Sequence, residues 1–159
     1  MAQADYAALE RNPANHSPLT PLSFLRRSAY IYPDKTAVID SDMQLSYRAF
    51  DERCRRLASS LADRGIGTGD TVAVICRNTH EMLEARYAIP MLGAVMNPIN
   101  TRLDAGAIGF ILEHGDAKLL ICDHAFGNEV GPALERLETP PDMVVVCSHP
   151  GATGELYGE

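Results

Sequence analysis

The run Thr71 to Cys76 (TVAVIC) constrains the fold more than any other stretch of this 159-residue chain. A strand with one wet face alternates apolar and polar residues, whereas a short continuous apolar run reads as a strand buried on both faces, the condition of a parallel sheet between helices. Helical patterns flank it. Upstream, Ser46 can cap a helix carrying Phe50, Cys54, Leu57 and Leu61 on one face until Gly65 stops it. Downstream, Asn78-Thr79-His80-Glu81 offers a capping residue with Glu three positions on, followed by Met82, Ala85, Ile89 and Leu92, with a bend expected at Pro90. Three further cycles are expected: a strand at 94–96 and a helix over 104–113, a strand at 118–122 and a helix from about 125 to 137, and a strand at 143–147. Such alternation predicts an α/β fold: a mostly parallel, Rossmann-like layered sheet, reached by right-handed crossovers and covered by flanking helices.

The amino-terminal part reads differently. Asn12, Pro13, Asn15 and Pro18 punctuate it, so residues 1–18 are expected to form an extended arm ahead of an α/β unit over 19–147, with 148–159 as a loop or severed linker. Thr20 before Pro21, then Leu22, Leu25 and Ala29, predicts a short helix that Pro33 ends. Residues 36–40 (TAVID) are β-rich, and Ser41-Asp42 turns the chain into 44–46, a small hairpin. With 46% hydrophobic and 22% charged residues the composition is globular. The formal charge of -7 argues against a nucleic-acid partner. No run reaches the roughly 20 apolar residues of a membrane span. Four unclustered cysteines without a secretory pattern suggest reduced thiols, and a cytoplasmic location is expected.

Several residue groups invite chemistry. Gly65-Ile66-Gly67-Thr68-Gly69 is glycine-dense, but a phosphate cradle lies between a strand and the helix after it, and these glycines follow a helix and precede a strand. They read as a helix stop and turn. His80-Glu81-x-x-Glu84 approaches the zinc-protease pattern but puts Glu at the second His position. Cys122-x-His124 and Cys147-x-His149 could make a tetrahedral metal site, although buried thiols beside solvent-edge histidines explain them as well. Arg48, Arg53, Arg55 and Arg56, interleaved with Asp51 and Glu52, form either an anion patch or a mixed-charge solvated face. The only two lysines, Lys35 and Lys118, flank strands. No residue is assigned a catalytic, cofactor-binding or metal-binding role from the sequence.

The ordered series PLSFLRRSAYIYPDKTAVID, LSYRAF (Leu45 to Phe50), GIGTGDTVAVICRN, MLGAVMNPINTRL (Met91 to Leu103) and ILEHGDAKLLICD resembles the amino-terminal part of the adenylate-forming acyl-CoA synthetases. The resemblance runs from Thr20 to Leu137. LSYRAF is similar to the family's first core motif, with Ala49 and Phe50 in place of its Glu and Leu. MLGAVMNPINTRL resembles the second, in the form seen in fatty- and aryl-acid CoA ligases rather than peptide-synthetase adenylation domains. Both mainly support the fold. The resemblance implies an incomplete portion of the family's large domain and, for the complete enzyme, a carboxylic acid substrate with ATP, magnesium and coenzyme A. The Ser/Thr/Gly-rich phosphate loop ending in Pro-Lys-Gly, the aromatic-Gly-x-Thr-Glu segment, the ribose-binding Asp and the carboxy-terminal catalytic Lys have no counterpart here. Pro150 to Gly154 and Tyr157 to Glu159 only faintly echo the first two. The chain alone is therefore expected to be an inactive fragment, with self-association through uncovered apolar surface. An alternative is a freestanding α/β interaction or regulatory module on the same scaffold, and a third reading is a small nucleotide binder.

Overall fold

The computed structural model describes residues 10–12, 14, 16, 17 and 19–146, the last four by backbone only. Helix α1 (Pro21–Ile31) begins with proline at its first position, where the missing amide costs no intrahelical bond. Strands β1 (Thr36–Asp40) and β2 (Met43–Ser46) pair antiparallel, with Ser41 in the left-handed region (φ 53) at the turn between them. Ser46 caps α2 (Tyr47–Asp63), its hydroxyl accepting from the Ala49 amide at 3.2 Å.

Strand β3 (Thr71–Ile75) then leads into α3 (His80–Met91), β4 (Val95–Pro98), α4 (Ala105–His114), β5 (Ala117–Asp123), α5 (Gly127–Leu134) and β6 (Asp142–Val146). The four strands form one parallel sheet in the order β4-β3-β5-β6. Alternate residues of the central strands face opposite ways, and each side has its own helices. Val72, Val74, Leu119 and Ile121 pack with Leu61 of α2 and Met82, Ala85 and Ile89 of α3. Ala73, Ile75, Leu120 and Cys122 pack with Ile108 and Leu112 of α4 and Val130 and Ala133 of α5. This two-sided burial is why TVAVIC lacks alternation. A third core joins α1, the hairpin, α2 and α3 through Leu25, Val38, Phe50 and Cys54, with Phe50 edge-on to Tyr87 at 5.5 Å.

Three local readings shift. The strand expected at 94–96 lies at 95–98. The helix expected from 125 to 137 opens as a single 3-10 turn (His124–Phe126) and runs as α5 only from Gly127 to Leu134. At α3 the capping position is Thr79, whose side chain makes no cap, and Asn78 is not the capping residue; Pro90 sits in the last turn. The arm expected over 1–18 and the segment 148–159 fall mostly or wholly outside the described residues. Phe24, Tyr30, Ile31, Tyr32, Ile39, Val95 and Phe110 are exposed large hydrophobics.

Candidate functional site

In a parallel sheet the carboxyl ends of all strands face one edge, and ligands bind there where the strand order reverses. The chain leaves β3 for β4 on one side and comes back with β5 on the other, so the reversal lies between β3 and β5. Arg77 and Asp123 close that point. Arg77 follows β3 by two residues, Asp123 ends β5, and Arg77 Nε donates to Asp123 Oδ2 at 3.0 Å.

Asp123 is 1% exposed, and its other oxygen accepts the Ala125 amide at 3.0 Å, which starts the 3-10 turn. A carboxylate buried that deeply without partners would cost several kcal/mol. The Arg77 side chain is 40% exposed, so its guanidinium runs from the buried carboxylate out to solvent. The loop after β4 reaches the same edge: the Ile99 amide donates to Val74 O at 2.8 Å, and the Arg102 amide to Asn100 Oδ1 at 3.0 Å. Arg102 is exposed. This edge therefore offers the guanidiniums of Arg77 and Arg102 to an anion. The thiols of Cys76 and Cys122 beside it are pushed up to about 12, first by burial and then by Asp123 nearby. A thiol held so high stays protonated at neutral pH and does not serve as nucleophile or thiolate ligand. Cys122 and Cys76 belong to cores on opposite faces of the sheet.

A second cluster sits at the start of α3. Asp40 Oδ2 accepts the His80 amide at 3.0 Å and lies 2.8 Å from His80 Nδ1, while Glu81 Oε1 lies 3.1 Å from Nε2. Asp40 thus replaces the expected local cap and ties the hairpin to the helix. The zinc-protease echo dissolves here, because Glu84 turns the other way to Arg53, with Nε at 2.5 Å from Oε1. Donor atoms of Asp40, His80 and Glu81 lie within 4.8 Å of one another, yet each ring nitrogen already faces a carboxylate. A magnesium ion takes oxygen donors in a near-octahedral array. An imidazole wedged between the two carboxylates does not fit that demand.

The glycine segment makes a turn at the amino end of β3, opposite the ligand edge. Gly65 and Gly69 have φ of 81 and 86, and the Gly67 amide donates to Asp70 Oδ2 at 2.9 Å, which takes an amide that a phosphate would need. Lys118 contacts the same carboxylate, and Lys35 lies over the Tyr32 ring. Of the arginines on α2, Arg53 pairs with Glu84, Arg55 with Asp51 at 2.7 Å and Arg48 with Asp34 at 3.2 Å, a mixed-charge face. Cys147, His149 and the segments Pro150 to Gly154 and Tyr157 to Glu159 lie outside the described residues. Sequence reasoning missed Arg77, Asp123 and Asp40. An Asp that ends an apolar strand just before a helical turn is a legible capping signal, whereas nothing near Asp40 points to a residue 40 positions away.

Residues 25–157 match the protein family described as "AMP-binding enzyme". The chain is 38% identical over 159 residues to "Acetate/butyrate--CoA ligase AAE7, peroxisomal" of Arabidopsis thaliana, covering 96% of this chain and 28% of that protein. It is 39% identical over 153 residues to "Acetate--CoA ligase CCL3" of Humulus lupulus, covering 92% and 27%. The chain thus spans about a quarter of the length of these curated relatives. Among solved structures it superposes on the inhibitor-bound N-terminal domain of FACL13 from Mycobacterium tuberculosis with TM-score 0.74 at 30% identity, over 80% of this chain and 33% of that one.

Proposed function

Since the chain belongs to the AMP-binding enzymes, in their acyl-CoA ligase branch, we propose that it forms the amino-terminal layer of an ATP-dependent carboxylic acid:CoA ligase and is inactive as these 159 residues alone. The observation that carries this reading is the match over residues 25–157, which takes in nearly the whole described fold. In the complete reaction a carboxylate oxygen attacks the α-phosphorus of ATP and releases pyrophosphate, giving an acyl-adenylate. The CoA thiol then displaces AMP and forms the thioester. ATP, magnesium and CoA are cofactors and co-substrates of that complete reaction.

The side chains of the described residues support scaffolding rather than chemistry. Transition-state stabilisation in phosphoryl and acyl transfer needs donors or metal aimed at developing charge. Here the glycine turn is filled by Asp70, the thiols of Cys54, Cys76 and Cys122 stay protonated, and both lysines serve strands or turns. Residues 19–147 are proposed as one structural unit of the ligase, with its carboxyl edge toward the ligands. Among the described residues no helix is long and apolar enough to cross a membrane. A reducing compartment suits the buried thiols; the cytoplasm is the expectation, and one relative carries "peroxisomal" in its name.

The test is acid-dependent exchange of pyrophosphate into ATP by the purified chain, with acetate, butyrate and benzoate. The expected result is no exchange above the enzyme-free blank. Reproducible exchange would place a phosphate-handling group within these residues and overturn the scaffold reading. Coding sequence past codon 159 that continues in frame into a Thr-Ser-Gly-Thr-Thr-Gly-like segment would support the ligase, and unrelated sequence there would count against it.

A further inference from the structure

Helices α1 and α2 enclose an open groove of about 610 Å³ lined by Arg26, Arg27, Tyr30, Arg48, Asp51 and Arg55, among others. It continues into a second hollow of about 420 Å³ that shares Arg26, Asp51 and Arg55 and ends on the apolar group Leu22, Ala58, Met91 and Leu92. From Arg48 to Ala58 the floor follows ten residues of α2, about 15 Å at 1.5 Å per residue. Four arginines line the first hollow against two carboxylates, Asp51 and Glu52, so the groove is locally positive on a chain whose formal charge is -7. Arg48 and Arg55 are engaged by Asp34 and Asp51. The side chains of Arg26 and Arg27 have no hydrogen-bond or ion-pair partner among the described residues, and both are exposed. At the rim Tyr30 is 88% exposed.

From this charge complementarity we propose that the groove is a docking site for an acidic amphipathic helix of a partner protein. Its carboxylates meet Arg26 and Arg27, and an apolar side chain settles on the Leu22, Met91 and Leu92 end. The length of the floor suits about three turns of a helix laid along it. A nucleic acid or an anionic membrane presents a dense array of phosphates, and with Arg48 and Arg55 already paired two arginines are too few to hold it. The inference stands apart from the ligase reading, since none of the lining residues belongs to the carboxyl edge described above.

The probe is a fluorescein-labelled amphipathic helical peptide of Leu, Ala and Glu, titrated with the protein by fluorescence anisotropy at low and physiological salt. A second peptide carries Gln in place of every Glu. The double variant R26E/R27E should weaken binding of the Glu peptide about tenfold, because two exposed attractions become repulsions. The control R64E/R136E makes the same change in net charge outside the groove and should leave binding within about twofold. Circular dichroism melts show that both variants fold. No binding to the unaltered protein, equal binding of the Gln peptide, or an equal loss in R64E/R136E would each overturn the proposal. Competition by inorganic pyrophosphate as strong as that by unlabelled Glu peptide would overturn it too, by reducing the groove to a small-anion site.

Discussion

Replacing Arg53 by Met should destabilise the protein through the carboxylate it leaves behind. Glu84 is 5% exposed, inside the interface of α2 and α3, and among the described residues its side chain is hydrogen-bonded by Arg53, through Nε at 2.5 Å and Nη2 at 3.4 Å. The carboxylate in turn raises the Arg53 pKa, chiefly through that hydrogen bond. Removing one member of a buried pair costs about 3–5 kcal/mol, because a charge remains without compensation. The Arg53 side chain is 34% exposed, so water reaches the pair and the expected cost falls to about 2 kcal/mol. That corresponds to a melting temperature lower by about 4–8 °C for a domain of this size. Glu84→Met alone strands a partly solvated guanidinium and should cost less, about 1 kcal/mol. The double variant R53M/E84M replaces the pair by two flexible apolar chains of similar length and should lie within about 1 kcal/mol of the parent. Urea unfolding of the four proteins closes the cycle, with an expected coupling of about 2–3 kcal/mol in favour of the pair. A coupling near zero, with the double variant losing the sum of the singles, would refute the claim that an orphaned charge dominates.

The Asp70 carboxyl is held below its ordinary value, first by Lys118 and then by the Gly67 amide, so its contribution is present above the unfolded pKa and fades as pH falls through the lower folded one; Asp70→Asn should be less stable than the parent at pH 7, with the gap closing in urea melts as pH falls below the ordinary carboxylate range. Gly93 has φ 71, and a Cβ there would stand 2.8 Å from Thr68 Oγ1; Gly93→Ala should cost about 2 kcal/mol, partly recovered in Thr68→Ala/Gly93→Ala, and full stability of the single variant would contradict the turn geometry. Burial pushes the thiols of Cys54, Cys76 and Cys122 up to about 12; in a Cys147→Ser variant, Ellman's reagent at pH 8 should label the remaining thiols only after unfolding, and stability should decline as pH rises above about 9, where the unfolded thiols ionise first.

The pattern of TVAVIC, flanked by periodic helices, was enough to specify a parallel layered sheet, because a strand covered on both sides has no other composition open to it. Element ends were less legible. Asp123 folds back on the Ala125 amide and replaces the first helical turn there with a tighter one, a choice made by one side chain and not by periodicity. At the start of α3 the local capping box was present in the letters, but Asp40 reaches the His80 amide from the hairpin and takes its place. The site shows the same division. Where the glycines fall between helix and strand could be read directly, and it excluded a phosphate cradle. The Arg77 to Asp123 bridge depends on which strands become neighbours, and that was settled only by strand order.

That strand order also sets a timetable for the growing chain. β3 is the first strand of its sheet to leave the ribosome, yet the partner of Val72 on one side is Met96 and on the other Leu119. The second of these is made about 2–9 seconds later at ordinary elongation rates of 5–20 residues per second. Until then one of the most apolar segments of the protein keeps its β5 edge open, although α1, the hairpin, α2, α3 and β4 have already been made. The central position that buries β3 so completely in the finished fold also means that its second edge waits on a strand made 47 residues later, counted from Val72 to Leu119.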